Sequence, residues 1–378
     1  MKNITSKAIW SGAIAGSLLF ITLFGAVLAA EEKPAFLSGK VRDLSGQSVS
    51  LDKKLESART EFQKSGGGKI YFAAYEFLSR HKIRRGNSYG AGEGYVVSPK
   101  ESKIKIEEKG RGWNQVGTET DTKDASSPAA LLILYDASKN GEILDVAILD
   151  NDQTYDFAEA AVFWLGRADN TESVSFLERS FDAAKGASSL QKNVIFAVGC
   201  HQDPRAYAFL KKIAIGSDDN KIRESAIFWL GNYGDAKSLA DLKDIFAKEK
   251  SDSVKKQIVF ALQLSRQKEA VEELIRIARQ DASLDVRKQA VFWLGQKASA
   301  ESIKALKDIV GEPDEDTKLK DQAVFAISQL PKDKSVPMLI DIAKSNKTAS
   351  IRKNAIFWLG QSGDPAALKF FEEILLKK

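Results

Sequence analysis

QAVFWLGQ, residues 289–296, sets Phe292 beside Trp293 in a stretch of helical composition, and the phrase recurs along the chain. It reads AVFWLG at 161–166, VIFAVG at 194–199, AIFWLG at 226–231, IVFALQ at 258–263, AVFAIS at 323–328 and AIFWLG at 355–360. The phenylalanines at its centre are Phe163, Phe196, Phe228, Phe260, Phe292, Phe325 and Phe357, spaced 32 or 33 residues apart. Self-similarity at such a period marks a chain built of stacked, similar units.

One unit shows the plan. SIKALKDIV (302–310) is apolar at helical spacing, and GEPDEDT (311–317) breaks it and supplies Asp316 and Thr317 as cap candidates. KLKDQAVFAISQL (318–330) is then a second helix. Neither helix is long enough to hold its shape alone in water, so each pair must bury its apolar side against the next.

DVRKQAVFWLGQ (285–296) resembles the second helix of a HEAT repeat, in its Asp-Val-Arg start, its small residue at Ala290 and its Leu294-Gly295 close. SIRKNAIFWLGQSGDPAALKFFEEIL (350–375) repeats the pattern and adds the following first helix. The short unit and the Gly-Asp-Pro-Ala turn are most similar to the compact bacterial HEAT-like class. The resemblance implies an all-α solenoid of about seven helical hairpins over 153–378, whose second helices line a concave wall that binds other macromolecules.

A helical wheel places Val286, Ala290, Trp293 and Leu294 on one face and Phe292 about 120° from Val286, beside Lys288, Gln289 and Gln296. Three residues before the phenylalanines stand Ala160, Asn193, Ser225, Gln257, Gln289, Gln322 and Asn354. Side-chain amides both donate and accept, which suits an extended backbone. Armadillo solenoids grip peptides with a comparable asparagine row, by analogy only. Two readings stay open: an aromatic and amide ladder facing a ligand, or phenylalanines filling the seam between neighbouring helices. Trp164, Trp229, Trp293 and Trp358 alternate with Ala197, Ala261 and Ala326 at the next position, a large–small alternation that lets layers interdigitate. Arg223, Lys255, Arg287, Lys320 and Arg352 recur five residues before the phenylalanine; a structural stack is favoured over a surface for an acidic ligand.

Residues 31–152 read differently, as a small β-rich α+β domain. LDKKLESARTEFQK (51–64) has helical spacing, KIYFAAYEFL (69–78) and KIKIE (103–107) read as strands, and AALLILYDASKNGEILDVAILD (129–150) as a hairpin about Asn140-Gly141. WNQVGTETDTKDASSP (113–128) reads as a polar loop. At the N-terminus Lys2 and Lys7 precede an apolar run from Ala8 to Ala30, and Val27-Leu28-Ala29 fits a cleavage site. Residues 1–30 are therefore expected to be a signal peptide, or an uncleaved anchor tethering the chain through 8–30, with the remainder periplasmic or extracellular.

The balance of charge, +5 from 56 basic and 51 acidic residues, requires no nucleic-acid partner. A lone cysteine, Cys200, leaves stability to packing, and the two histidines, His81 and His201, stand in no metal or triad spacing. SGGGKI (65–70) lacks the hydroxyl and glycine spacing of a phosphate loop, YGAGEG (89–94) suits a turn better than a dinucleotide site, and DNDQTYD (150–156) lacks the glycine of a calcium loop. No cofactor, metal or catalytic residue is expected. The expectation is an exported noncatalytic scaffold binding a protein or extended peptide, with the twelve partner residues Phe163, Phe196, Phe228, Phe260, Phe292, Phe325, Phe357, Asn193, Gln257, Gln289, Gln322 and Asn354; the alternative is an enzyme or accessory of the HEAT-like lyase type. The apolar end ALKFFEEILLKK (367–378) either covers the last layer or meets a second copy in a homodimer.

Overall fold

The computed structural model describes residues 34–66, 68–85, 95–100, 103–108, 116–117 and 126–376. The expected leader 1–30, the YGAGEG glycines and most of the polar stretch 113–128 lie outside these. Helix α1 (Leu51–Lys64) coincides with the stretch whose spacing predicts it. Seven strands make one sheet: β1 (Leu37–Asp43), β2 (Ile70–Ser79), β4 (Tyr95–Lys100), β5 (Lys103–Glu108), β7 (Ser127–Asp136), β8 (Glu142–Leu149) and β9 (Tyr155–Arg167). Their order is β5-β4-β9-β2-β7-β8, with β1 also paired to β9, while β3 (Arg84–Arg85) and β6 (Val116–Gly117) pair apart. Between β7 and β8 a short 3-10 turn, Ala137–Lys139, is closed by Asn140 and Gly141 at φ 56° and 78°. DNDQTYD joins β8 to β9 by a turn in which the Asp150 carboxylate accepts from Asp152 N–H.

Asp145 on β8 is 5% exposed and fully engaged. Its carboxylate accepts Ile104 N–H on β5 at 2.9 Å, Val146 N–H at 2.9 Å and the Asn193 amide at 2.7 Å. One buried charge therefore ties the two ends of the curled sheet to each other and to the helices that follow, and its hydrogen bonds offset its desolvation.

The first copy of the repeated phrase is not a helix. AVFWLG (161–166) lies in β9, where alternate residues enter two different cores. Val162 and Trp164 join the cluster inside the curled sheet, while Phe163 and Leu165 join the one that runs into the helices. A strand covered on both faces is apolar at every position, and such a run has the same composition as a buried helix. The sheet domain thus extends to Arg167 rather than 152, and Phe163, fully buried, stands outside the helical row.

Beyond it lie thirteen helices: α2 (Asn170–Ala183), α3 (Ser188–Cys200), α4 (Pro204–Gly216), α5 (Asn220–Tyr233), α6 (Ala236–Lys248), α7 (Asp252–Leu264), α8 (Glu269–Gln280), α9 (Leu284–Lys297), α10 (Ala300–Gly311), α11 (Thr317–Ser328), α12 (Lys332–Ser345), α13 (Ala349–Ser362) and α14 (Pro365–Leu376). They form six helical pairs and a closing helix, each pair with a repeated phrase in its second member. Asp169, Asp203, Asp219, Asp235 and Asp316 each cap the helix that follows by accepting a backbone N–H.

Consecutive second helices, from α3 through α13, pack directly on one another, whereas consecutive first helices touch little. A stack tighter on one side curves toward it, so the second helices line the inner wall. Glycine permits the approach. A Cβ on Gly199 would enter the Trp229 indole; on Gly231 it would lie 2.7 Å from Ala261 Cβ, and on Gly295 2.9 Å from Ala326 Cβ.

Sheet and solenoid share one continuous core. At the joint, Asn170 exchanges side-chain hydrogen bonds with the backbone of Leu78, and Ser79 bridges to His201. His201 is fully buried and stacks on Phe77 at 3.9 Å. Its Nδ1 lies 2.7 Å from the Ala197 carbonyl, which can only accept, so Nδ1 carries the proton. Nε2 then accepts from the Ser173 hydroxyl at 2.6 Å, and Ser173 accepts from the Tyr75 hydroxyl at 2.7 Å. At the far end, Phe370 of α14 covers the last layer, while Leu368, Ile374, Leu375 and Leu376 face outward.

Two outcomes follow from this packing. Gly199→Ala is expected to cost about 3 kcal/mol or more in urea unfolding, because the indole must move, whereas Gly360→Ala, which meets nothing within 4 Å, is expected to be neutral or slightly stabilising. Burial lowers the His201 imidazole from 6.5 to about 4. The folded state therefore binds this proton less readily than the unfolded state: the contribution is whole above pH 6.5 and is lost as pH falls toward 4. His81, which burial and the nearby Arg80 and Arg266 also lower to about 4, adds a loss of its own. His201→Gln should therefore reduce the loss of stability between pH 7 and 5 by about 2 kcal/mol without abolishing it; an unchanged loss in the variant would assign it elsewhere.

Candidate functional site

The inner wall is built from the second helices, and its rings form one connected file. Phe196 meets Trp229 at 5.3 Å, Trp229 meets Phe228 at 5.4 Å, and Phe228 stacks on Phe260 at 6.0 Å with planes 5° apart. Phe260 meets Trp293 at 5.1 Å, Trp293 meets Phe292 at 4.9 Å, and Phe292 stacks on Phe325 at 6.4 Å. Phe325 meets Trp358 at 5.3 Å, and Trp358 meets Phe357 at 5.1 Å. The alternation of Trp and Ala explains the order. Where the next helix carries Ala, phenylalanine stacks on phenylalanine; where it carries Trp, the indole takes that place.

The two readings of the phenylalanines therefore describe the same rings. Each bridges the seam to a neighbour, yet Phe196, Phe228, Phe260, Phe292 and Phe325 keep part of their surface open and Phe357 is 55% exposed. The tryptophans differ among themselves. Trp229 is buried over Gly199, but Gln263 and Ser328 occupy the positions equivalent to Gly199, and Trp293 and Trp358 are only partly buried. The Trp293 Nε1 is buried without a hydrogen-bond partner among the described residues.

The five amides separate into two groups. Asn193 is spent on Asp145, and Asn354 donates to Asp321 at 3.2 Å. Gln257, Gln289 and Gln322, partly exposed on three consecutive second helices, make no hydrogen bond among the described residues. A cleft of about 460 Å³ takes in the last two, lined by Lys256, Asp285, Lys288, Gln289, Phe292 and Gln322.

The basic row five residues before the phenylalanine is structural. Arg223 donates to the Ala214 carbonyl of its own pair and binds Glu249 of the next. Arg287 repeats this with Ala278 and with Glu315 at 2.5 Å, and Lys255 pairs with Asp281 at 2.9 Å. Lys320 and Arg352 bind loop carbonyls at Pro313 and Asn346. Cys200 is fully buried, and burial pushes its thiol up to about 12, so it serves as packing rather than as a nucleophile. The sequence contained one further signal, passed over because it lies next to the structural row: Lys192, Lys256, Lys288 and Lys353 stand four residues before the phenylalanine.

A family model described as HEAT repeats matches residues 181–263, 239–317 and 312–378, together just over half of the chain. No curated protein matches it. Among solved structures, human deoxyhypusine hydroxylase in complex with glycerol is similar at 15% identity, over 55% of this chain and 91% of that one, with a TM-score of 0.29. The CpcE–CpcF complex of phycocyanin lyase from Nostoc sp. is similar at 18% identity, over 41% and 99%, with a TM-score of 0.32. Escherichia coli YibA is similar at 19% identity, over 55% and 77%, with a TM-score of 0.35. At these scores the structural likenesses add nothing to the family match.

The exposure of the rings gives an ordered expectation. Phe292→Ala, removing a half-buried ring that stacks on Phe325 and meets Trp293 edge-on, should cost roughly 2 kcal/mol, below the roughly 3–5 of a fully buried ring. Phe357→Ala at the open end should cost under about 1 kcal/mol. Urea denaturation of the two variants checks the order; equal costs would mean that the file is buried uniformly.

Proposed function

This chain belongs to the HEAT-repeat family, and we propose that its inner wall is a noncatalytic binding groove for an extended peptide segment of a protein partner. HEAT solenoids as a class present extended concave surfaces to other macromolecules. The observation that carries the reading is the strip of Gln257, Gln289 and Gln322, whose amides bond to nothing among the described residues beside a continuous file of half-open rings. Rings supply apolar area at little entropic cost, and amides in register with them satisfy the donors and acceptors of an extended backbone. The proposal includes the exported location expected from residues 1–30, with periplasm or exterior as the compartment, and a contact between two copies through the outward face of α14. Cell fractionation and light scattering read these two; a cytoplasmic chain or a constant monomer mass rejects them.

The groove is tested by selecting peptides from a random extended library on the full chain, then measuring them against a Gln257→Ala, Gln289→Ala, Gln322→Ala variant. Each lost hydrogen bond is worth about 1 kcal/mol, so affinity should fall by at least about tenfold at an unchanged urea midpoint. Peptides that bind the variant equally well place the site elsewhere. Turnover of a small molecule by the purified chain would favour the lyase-type alternative.

A further inference from the structure

We infer that the cleft across α7, α9 and α11 binds a carboxylate, and hence that the segment held in the groove is acidic. This rests on the groove reading above and names the partner's chemistry.

Two cations face the cleft without a close counter-ion. Lys256 forms no ion pair among the described residues, and Lys288 reaches only Asp285, at 3.7 Å, whose side chain is 70% exposed. At the equivalent position the flanking second helices α5 and α11 carry acids instead of lysines. Glu224 on α5 pairs with Lys221 at 3.0 Å, and Asp321 on α11 accepts from Asn354. Lys192 and Lys353 hold the same position on α3 and α13, so two such lysines stand on adjacent second helices only at α7 and α9, where the free amides Gln289 and Gln322 also lie.

With the Phe292 ring in its lining, the cleft is partly shielded from water, and an ion pair formed there is stronger than one on an open surface. Two lysines against one aspartate leave the lining with a single net positive charge, which matches a monoanion. Asp285 opposes a doubly charged phosphate. Amide N–H groups from Gln289 and Gln322 can donate to the oxygens of a carboxylate held between the lysines. An aspartate or glutamate side chain on an extended peptide meets all these conditions.

The experiment is calorimetry on the full chain with two short end-blocked peptides, one alternating glutamate and alanine, the other with glutamine for each glutamate. The glutamate peptide should bind about tenfold more tightly at low salt and lose most of that advantage at high salt. Lys256→Gln with Lys288→Gln should erase the preference, leaving the urea midpoint and the glutamine peptide's affinity unchanged. Equal affinities in the parent chain would overturn the acidic preference while the groove stands, and a preference that survives in the double variant would overturn the site. Failure of both peptides to bind the folded chain would remove the groove reading itself.

Discussion

At three of the five seams between neighbouring second helices the approach leaves no room for a side chain, and the rest of the architecture depends on that contact. It requires a residue without a side chain at Gly199, Gly231 and Gly295, facing Trp229, Ala261 and Ala326 of the next helix. Because these helices are closer together than their outer partners, the stack bends inward. Large side chains one position away then have nowhere to go but along the inner wall. The aromatic file is thus a consequence of the tight spacing as much as a surface laid over it. A ring can bridge a seam and still offer an edge to a ligand, so packing and binding share residues here.

The sheet domain serves as the first layer of the stack. An end of a solenoid must be covered by something other than another identical unit. Here the cover is one face of the sheet, continuous in its core with α2 and α3. The contact is oriented by polar groups that are all satisfied: the Tyr75–Ser173–His201 chain of hydroxyls and imidazole, the Asn170 amide on the β2 backbone, and Asp145 between two strands and Asn193. Buried networks of this kind specify one arrangement because a shifted arrangement leaves unpaired groups. The groove therefore begins from a fixed reference plane.

Charge along the solenoid separates into two rows that are adjacent in sequence and different in role. Arg223 and Arg287 bridge a carbonyl of their own pair and a carboxylate of the next, Lys255 pairs with Asp281, and all three are largely buried. One residue later on each helix, about 100° around, Lys256 and Lys288 face the cleft. The first row is consumed by stability, and only the second is free to act on a partner.

The sequence alone determined the period, the two-helix unit, the caps and the exact span of α1, because those depend on spacing and on residues acting within a turn or two. A wheel, which needs only the geometry of one helix, also set Phe196, Phe228, Phe260, Phe292, Phe325 and Phe357 away from the main apolar face, but left open whether they fill a seam or face a ligand. Tertiary structure decided the rest. AVFWLG at 161–166 matches the helical copies in composition, and only the presence of a core on each side of β9 makes it a strand. Asn193 and Gln289 are equivalent in the repeat, yet one is spent on Asp145 because a sheet edge lies beside it and the other stays free. Whether a side chain is engaged depends on what stands opposite, and that neighbour comes from a distant part of the chain that no local pattern records.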